Sequence, residues 1–357
     1  MLIAVTGGTG FLGAHTVARL LAGGHRVRLL ARDPARVPAA LGPLCPDWSA
    51  VDVVAGDVTD AGAATRLVSG AEAVLHAAGV YTFDSRRRRE LGRVNEHGTE
   101  VVLEAARRAG VGHVVHVSTV GTFFPAADGH VGPGSPLTGT GEAYLASKAA
   151  AERVARRHRA AGLPVTVTHP PALLGPHDPH LGDQNARLRN LLRGLMPFWP
   201  SGGLPVGDVR DAAEQHAVLL SGPPGRSDVF GPGHFLRTRE YLAVVRAVTG
   251  RRLPALFLPA AAMAPVGRLA DLLQRAWPWP IPAEYGAIHV CAVAAPVVPG
   301  APGGGVAARP SAETVRAAVA WLHEAGLVTG RQAGAARKTS KEDSDPVVPG
   351  PPGSRRP

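Results

Sequence analysis

Tyr144 and Lys148 stand four residues apart in Tyr144-Leu145-Ala146-Ser147-Lys148. On a helix, positions i and i+4 share one face a turn apart. A phenol with a pKa of about 10 is a weak acid–base group at neutral pH, and a neighbouring ammonium favours its phenolate and lowers that value. The pair can therefore exchange a proton with a substrate oxygen, while the lysine also reaches for sugar hydroxyls. A tyrosine and lysine at this spacing also arise by chance on helix surfaces. Composition argues against chance here, because the only lysines are Lys148, Lys338 and Lys341, and the last two lie in a polar tail. A chain that otherwise uses arginine keeps an adjustable amine at this position, which arginine's rigid, always-charged fork cannot replace. Ser118 and Thr119, at the end of the apolar run from His113, add hydroxyls able to bond a carbonyl oxygen. The one not so used caps the strand end.

A second constellation is Thr6-Gly7-Gly8-Thr9-Gly10-Phe11-Leu12-Gly13, between a short apolar run and a helical pattern. Gly7 permits the tight turn, Gly10 lets backbone approach a pyrophosphate, and Gly13 lets helix pack on strand. The phosphates meet the free N–H groups of the helix start, so Thr9, Phe11 and Leu12 belong to the cradle. No Gly-Lys-Ser/Thr follows, which excludes a Walker-type phosphate loop. At the end of the next strand, in Leu29-Leu30-Ala31-Arg32-Asp33, Ala31 occupies the place of the carboxylate that binds the ribose of NAD. Arg32 can pair with a 2′-phosphate through its planar fork. NADP is favoured on this reading and NAD is possible; the alternative for Arg32 is a plain surface arginine.

Further stretches complete a pattern: Gly56-Asp57-Val58, His76-Ala77-Ala78-Gly79, and Val94-Asn95-Glu96-His97-Gly98-Thr99. With the glycine turn and the Tyr-x-x-x-Lys they resemble the extended short-chain dehydrogenase/reductase superfamily. Within it, the NAD-dependent epimerase/dehydratase family and its dihydroflavonol-reductase-like branch are the nearest in pattern. The resemblance implies that Asp57 and Val58 lie beside the adenine and that Ala77, Ala78 and Gly79 line the cofactor trough. It implies that Asn95 supports the site and that Thr119, in preference to Ser118, holds the catalytic hydroxyl position. It also implies that the backbone after His169-Pro170 faces the nicotinamide. Val209-Arg210-Asp211, Arg309-Pro310 and Trp321-Leu322 extend the likeness to about residue 328, loosely in the later part.

Strand-like runs at Leu2–Thr6, Arg26–Ala31, Val51–Ala55, Ala73–His76, His113–Ser118 and Pro164–Thr168 alternate with helical patterns, including about Arg87–Ala109 and Glu142–Ala161. This rhythm predicts an α/β fold, a Rossmann-type doubly wound parallel sheet with a smaller C-terminal substrate-binding cap. The nucleotide-binding domain spans 1–170, with its sheet completed by about 205–231. Segments 171–204 and 232–328 form the cap and a closing helix over Ser311–Ala325. Residues 329–357, polar and rich in Gly and Pro, predict a disordered tail. The Pro/Gly run 296–305 departs from the family pattern.

The 357 residues carry a net charge of +10, partly in Arg86–Arg89 and the tail, without any nucleic-acid-binding motif. The arginine run reads as a solvated helix face rather than an anion-attracting patch. Two cysteines, no leader-like start and no span-length apolar segment predict a cytoplasmic protein with a small-molecule substrate and no membrane span. A homodimer is possible by resemblance. His113 and His116 read as packed or water-facing strand residues. No metal is expected, since His177-Asp178-Pro179-His180 fits loop polarity better than a ligand set. Phe83, Phe123, Phe124, Trp199 and Trp277 either line a substrate pocket or pack in the core. The reading is an NADP-preferring oxidoreductase acting on a carbonyl or carbinol of an apolar or aromatic compound. Its alternatives are a nucleotide-sugar epimerase or dehydratase that keeps NAD, and a non-catalytic dinucleotide-sensing regulator.

Overall fold

The structure is a computed structural model that describes residues 1–82, 85–138, 142–225, 227–263, 265, 285–301 and 303–337. In chain order its strands are β1 (Leu2–Thr6), β2 (Arg26–Ala31), β3 (Asp52–Ala55), β4 (Ala73–His76), β5 (His113–Val117) and β6 (Val165–His169). There follow β7 (Ala172–Leu174), β8 (Phe198–Ser201), β9 (Gly203–Asp208), β10 (Asp228–Phe230), β11 (His234–Arg237) and β12 (Leu256–Pro259). Seven of them form one sheet in the order β10-β6-β5-β4-β1-β2-β3, every pair parallel. Strands β4, β5 and β6 are buried along their whole length, as expected when helices cover both faces of a parallel sheet.

One face carries the helices Phe11–Ala22 and Val209–Ser221, with Val17, Leu20 and Leu220 packed on Ile3, Val5, Leu29 and Val115. The other carries Ala61–Val68, Gly98–Arg108 and Ala143–Ala160, through Leu67, Val102, Leu103 and Val154. The winding reverses between β1 and β4, and in open α/β sheets the crevice beyond the strand ends at that point receives the ligand. The fold class expected from the rhythm is the one found.

The long helical stretch after β4 is not uniform. It runs as Arg88–Leu91, then a π-helical turn over Gly92–His97, then Gly98–Arg108. π-helical turns cluster at functional sites because they re-aim a side chain within a helix, and this one holds Asn95. The arginine run begins in a short 3-10 turn, Ser85–Arg87, and is exposed from Arg86 to Arg89.

The cap has two small sheets, β11-β9-β7 and β12-β8. Residues 205–208 thus join the cap sheet, and the main sheet is completed by the helix Val209–Ser221 and β10 alone. The cap core gathers Leu188, Leu191 and Leu192 with Leu242, Val245, Val319 and Leu322. The family-like Arg309 clamps it to the helix Val209–Ser221: its backbone N–H and guanidinium both bond Asp211 at 2.8 Å. The Pro/Gly run is an extended return, with Val131 N–H donating to Pro296 O and Val298 N–H to Val131 O.

The sequence reading of disorder from 329 gives way to an ordered segment through 337. Thr329 caps a short helix, Gly330–Ala333, in a reciprocal capping box with Gln332. Ala333 and Ala336 are fully buried against the cap core. Residues 338–357 lie outside the described residues. Replacing Ala333 by Asp would set an unpaired carboxylate in this seam. We expect a loss of at least about 2 kcal/mol in urea unfolding, against less than about 0.5 kcal/mol for a change at exposed Arg331.

Candidate active site

The glycine turn leaves β1 with Gly7 in the left-handed region, at φ 76°. A Cβ on Gly7 would stand 2.6 Å from the Ala77 carbonyl carbon, and one on Gly13 would stand 2.2 Å from the Gly7 oxygen. Neither is tolerable, so the two glycines are what let the turn, the helix start and the Ala77-Ala78-Gly79 strand end close together. Thr6 Oγ1 accepts the Ala78 N–H at 3.2 Å and tightens the same junction. The helix opens at Gly10 without any side-chain cap, so the N–H groups of its first turn, including Phe11, Leu12 and Gly13, face outward uncapped. Backbone this close, with that free end, fits a pyrophosphate.

Arg32 emerges exposed just beyond buried Ala31, and Asp57 follows β3 nearby. Burial works to raise the Asp57 carboxyl, but the Thr59 N–H and hydroxyl, with Arg93 and Arg32 close by, bring it below its ordinary value. Val58 turns inward under Gly98. Asn95 is 2% exposed and does not offer its amide to the trough: its Oδ1 accepts Val80 N–H at 2.7 Å, and its Nδ2 donates to Val80 O and Ser147 Oγ. Its place is structural, joining the loop after Gly79 to the Tyr144 helix.

That helix, Ala143–Ala160, starts at Glu142, whose carboxylate accepts the N–H groups of Tyr144 and Leu145 at 2.8 Å. Lys148 is buried, and its Nζ donates to Val117 O at 2.7 Å, at the end of β5. A Cβ on Gly79 would stand 4.0 Å from the same Nζ, so the amine lies on the floor of the trough. Burial lowers the Lys148 pKa to about 8, against a smaller opposing pull from Glu152. The half-buried Tyr144 is pushed the other way. Desolvation first, then Tyr81, Glu142 and Asp183, raise its phenol well above the ordinary value. The expectation that Lys148 lowers the Tyr144 pKa is therefore not met in this structure: the amine is committed to Val117 O, and burial dominates.

The two hydroxyls at the strand end part company. Ser118 Oγ donates to Glu152 Oε2 at 2.6 Å and is spent on a buried bond. Thr119 remains partly exposed on the cleft wall, with Gly121 N–H and Pro170 O as its distant neighbours at 3.3 and 3.5 Å. Thr119, Tyr144, Lys148 and Pro170 all line a single cleft of about 440 Å³ together with Phe11, Leu12, Ala77 and Gly79.

Tyr81 and Arg187 are among the cleft residues that carried no sequence motif. The Tyr81 ring meets Tyr144 edge-on, with centroids 4.6 Å apart. Arg187 enters from the cap helix Asp183–Leu192. Of the aromatic candidates Phe124 lines the cleft, Phe123 and Trp199 are core, and Phe83 and Trp277 lie outside the described residues. His113 and His116 are buried in β5, where burial lowers the pKa of both. Asp178 braces its own loop through the N–H groups of His180 and Gly182 and through Asn185. No cluster of three or more metal-binding side chains occurs among the described residues. None of their helices is long and apolar enough to cross a membrane.

Comparison with known proteins agrees with this geometry. The model of the NAD dependent epimerase/dehydratase family matches residues 3–224. A Synechocystis sp. protein provisionally named a dihydroflavonol 4-reductase is 33% identical over 267 residues, which are 71% of this chain and 74% of that protein. Sterol demethylase protein B of Methylococcus capsulatus is 30% identical over 281 residues, 77% of this chain and 83% of that one. Among solved structures, a dTDP-glucose 4,6-dehydratase, DesIV from Streptomyces venezuelae with NAD bound, superposes with a TM-score of 0.62 at 30% identity. The superposition covers 72% of this chain and 84% of DesIV. The chain belongs to the NAD dependent epimerase/dehydratase family of extended short-chain dehydrogenase/reductase enzymes.

Proposed function

We propose that the chain is an NADP-preferring reductase that converts a carbonyl of a small, apolar-bodied substrate to a carbinol, or the reverse. The observation that carries this reading is the convergence of Tyr144, Lys148 and Thr119 on the cleft wall directly beside the glycine cradle. When bound, the dinucleotide supplies the hydride that adds to the carbonyl carbon. Tyr144 Oη gives the proton that the carbonyl oxygen needs, and Thr119 Oγ1 donates a hydrogen bond that orients that oxygen. A phenol held above its ordinary pKa is protonated at neutral pH, which suits the donating, reductive direction. Lys148 faces the trough beside Gly79, where it would hold ribose hydroxyls. Ala31, in the place of the carboxylate that binds the ribose of NAD, and Arg32 beside it favour NADP. The name of the Synechocystis relative supports reduction; the DesIV likeness supports the alternative of a nucleotide-sugar dehydratase.

Cofactor-dependent thermal shift tests the first half. NADPH should raise Tm more than NADH, and no shift with either would refute the proposal. NAD released from denatured protein would favour the dehydratase alternative. Arg32→Ala should weaken NADPH about tenfold or more while leaving NADH within about threefold, as read by fluorescence titration. Tyr144→Phe should cut reduction of active ketones at least about 1000-fold with NADPH affinity retained.

The buried amine also has a stability signature. A lysine whose folded pKa is lowered from 10.5 to about 8 binds fewer protons folded than unfolded between those values. Stability then rises with pH across that window, and below it the burial penalty is fully present. Relative to Lys148→Met, the cofactor-free wild type should gain on the order of 3 kcal/mol between pH 8 and pH 10.5 in urea unfolding, at about 1.4 kcal/mol per unit. A flat difference would show that Lys148 is not buried as described.

A further inference from the structure

We propose that Arg187 receives a carboxylate carried by the substrate, so that preferred substrates are carbonyl compounds with an apolar body and one acidic group. The proposal rests on the reductase reading for the kind of molecule the cleft holds. Its basis is an unusual guanidinium. Arg187 is half-buried in the cleft wall, and no hydrogen bond or ion pair ties it to any described residue. Other partly buried arginines are tied down: Arg156 to Glu152 and Asp228, Arg210 to Asp208, Arg309 to Asp211, and Arg251 to the carbonyls of Leu192 and Gln332. A fork of five N–H donors withdrawn from water costs free energy unless something accepts from it.

Neighbours do not neutralise it. Asp183 stands one turn earlier on the same helix but makes no bridge to Arg187 within 4 Å. Burial opposes the charge on Arg187, yet the Cys291 thiol and the Tyr81, Asp183 and Tyr241 side chains offset this, and the guanidinium stays charged. Its position is also prepared in advance. The loop before its helix holds His177 and Leu181 in left-handed conformations, at φ 54° and 47°. Asp178 locks that loop through His180 N–H, Gly182 N–H and Asn185 Nδ2. Strain of this kind in non-glycine residues persists only where the surroundings over-determine it.

Arg187 and the catalytic Tyr144 line the same cleft, as does Tyr81, which meets Tyr144 edge-on. A carboxylate matches the fork in shape and charge. A phosphate dianion would set two charges against one guanidinium, with Asp183 and Asp178 close by, which opposes it.

Benzoylpropionate and its methyl ester share body and ketone and differ by the acid. Titrated into protein loaded with NADP⁺, which cannot reduce them, the acid should bind at least about tenfold more tightly than the ester, and with NADPH its kcat/KM should lead by a similar factor. In Arg187→Gln both ratios should fall to about one, while Arg187→Lys should keep part of the preference. NADPH affinity and Tm serve as checks that each variant is folded. Equal binding of acid and ester, or a preference that survives Arg187→Gln, would overturn the proposal. So would displacement of the acid by inorganic phosphate or UDP at concentrations below its own Kd. Failure of NADPH to bind, or of any ketone to turn over, would instead sink the reductase reading. Turnover of acid and ester alike would sink only the role given to Arg187.

Discussion

The carboxylate of Glu152, fully buried one turn beyond Lys148, is the contact on which the site's geometry depends. It accepts from Ser118 at the end of β5, from Thr122 in the following turn, from His169 at the end of β6, and from Arg156 on its own helix. Arg156 passes the connection on to Asp228 in β10. Burial by itself would raise the Glu152 pKa, but His169, Ser118 and Arg156 hold it down at about 2. A buried ion with several strong donors contributes less to net stability than to a single arrangement, because any other leaves an uncompensated charge. Here that arrangement fixes the rotation of the Tyr144 helix against the two strand ends that face it. Ser118 therefore acts by holding the strand end in place, and Thr119 is left to face the cleft.

The same rigidity explains why one lysine survives in an arginine-rich chain. Lys148 is buried between Gly79 and the Val117 carbonyl, where desolvation lowers its amine below its ordinary pKa. A compact ammonium can take that place and shed part of its basicity, whereas arginine would bring an undiminished charge and five donors. The cost is a strained electrostatic state in the cofactor-free protein: amine lowered, phenol raised. Sites that bind charged cofactors commonly hold groups in such states, because the ligand supplies what the fold withholds.

Much of this was legible from residue types. Gly7 and Gly13 announce themselves because only glycine fits where a Cβ would meet backbone, and Tyr144 with Lys148 because helical period and composition coincide. What escaped reading depends on contacts between distant segments. Asn95 carries a family pattern, yet only the π-helical turn shows that its amide joins a loop to a helix. Residues 329–337 look like tail by composition, but small Ala333 and Ala336 fit a seam that larger side chains would not. The 205–208 segment resembles its family counterpart and still pairs into the cap sheet, since local pattern does not say which of two sheets an apolar strand joins. Arg187 had no local signal at all. An arginine on an amphipathic helix is ordinary until the fold shows that none of the described residues accepts from it.

The division of labour between the two halves follows from where the constraints lie. The ends of β5 and β6 and the Tyr144 helix are tied together through Glu152, so a change there disturbs several elements together. The groups that would meet the substrate come from the loop around Tyr81, from the cap helix with Arg187 and from the helix that contributes Cys291. The Arg187 helix rests on a separate core, which joins the helix Val209–Ser221 through contacts such as Arg309 with Asp211. A substitution at Arg187 can therefore alter which molecule enters without moving Tyr144 or Lys148. The strand ends beside Tyr144 and Lys148 are held by several partners of Glu152, whereas no described residue holds the Arg187 guanidinium in the cleft wall.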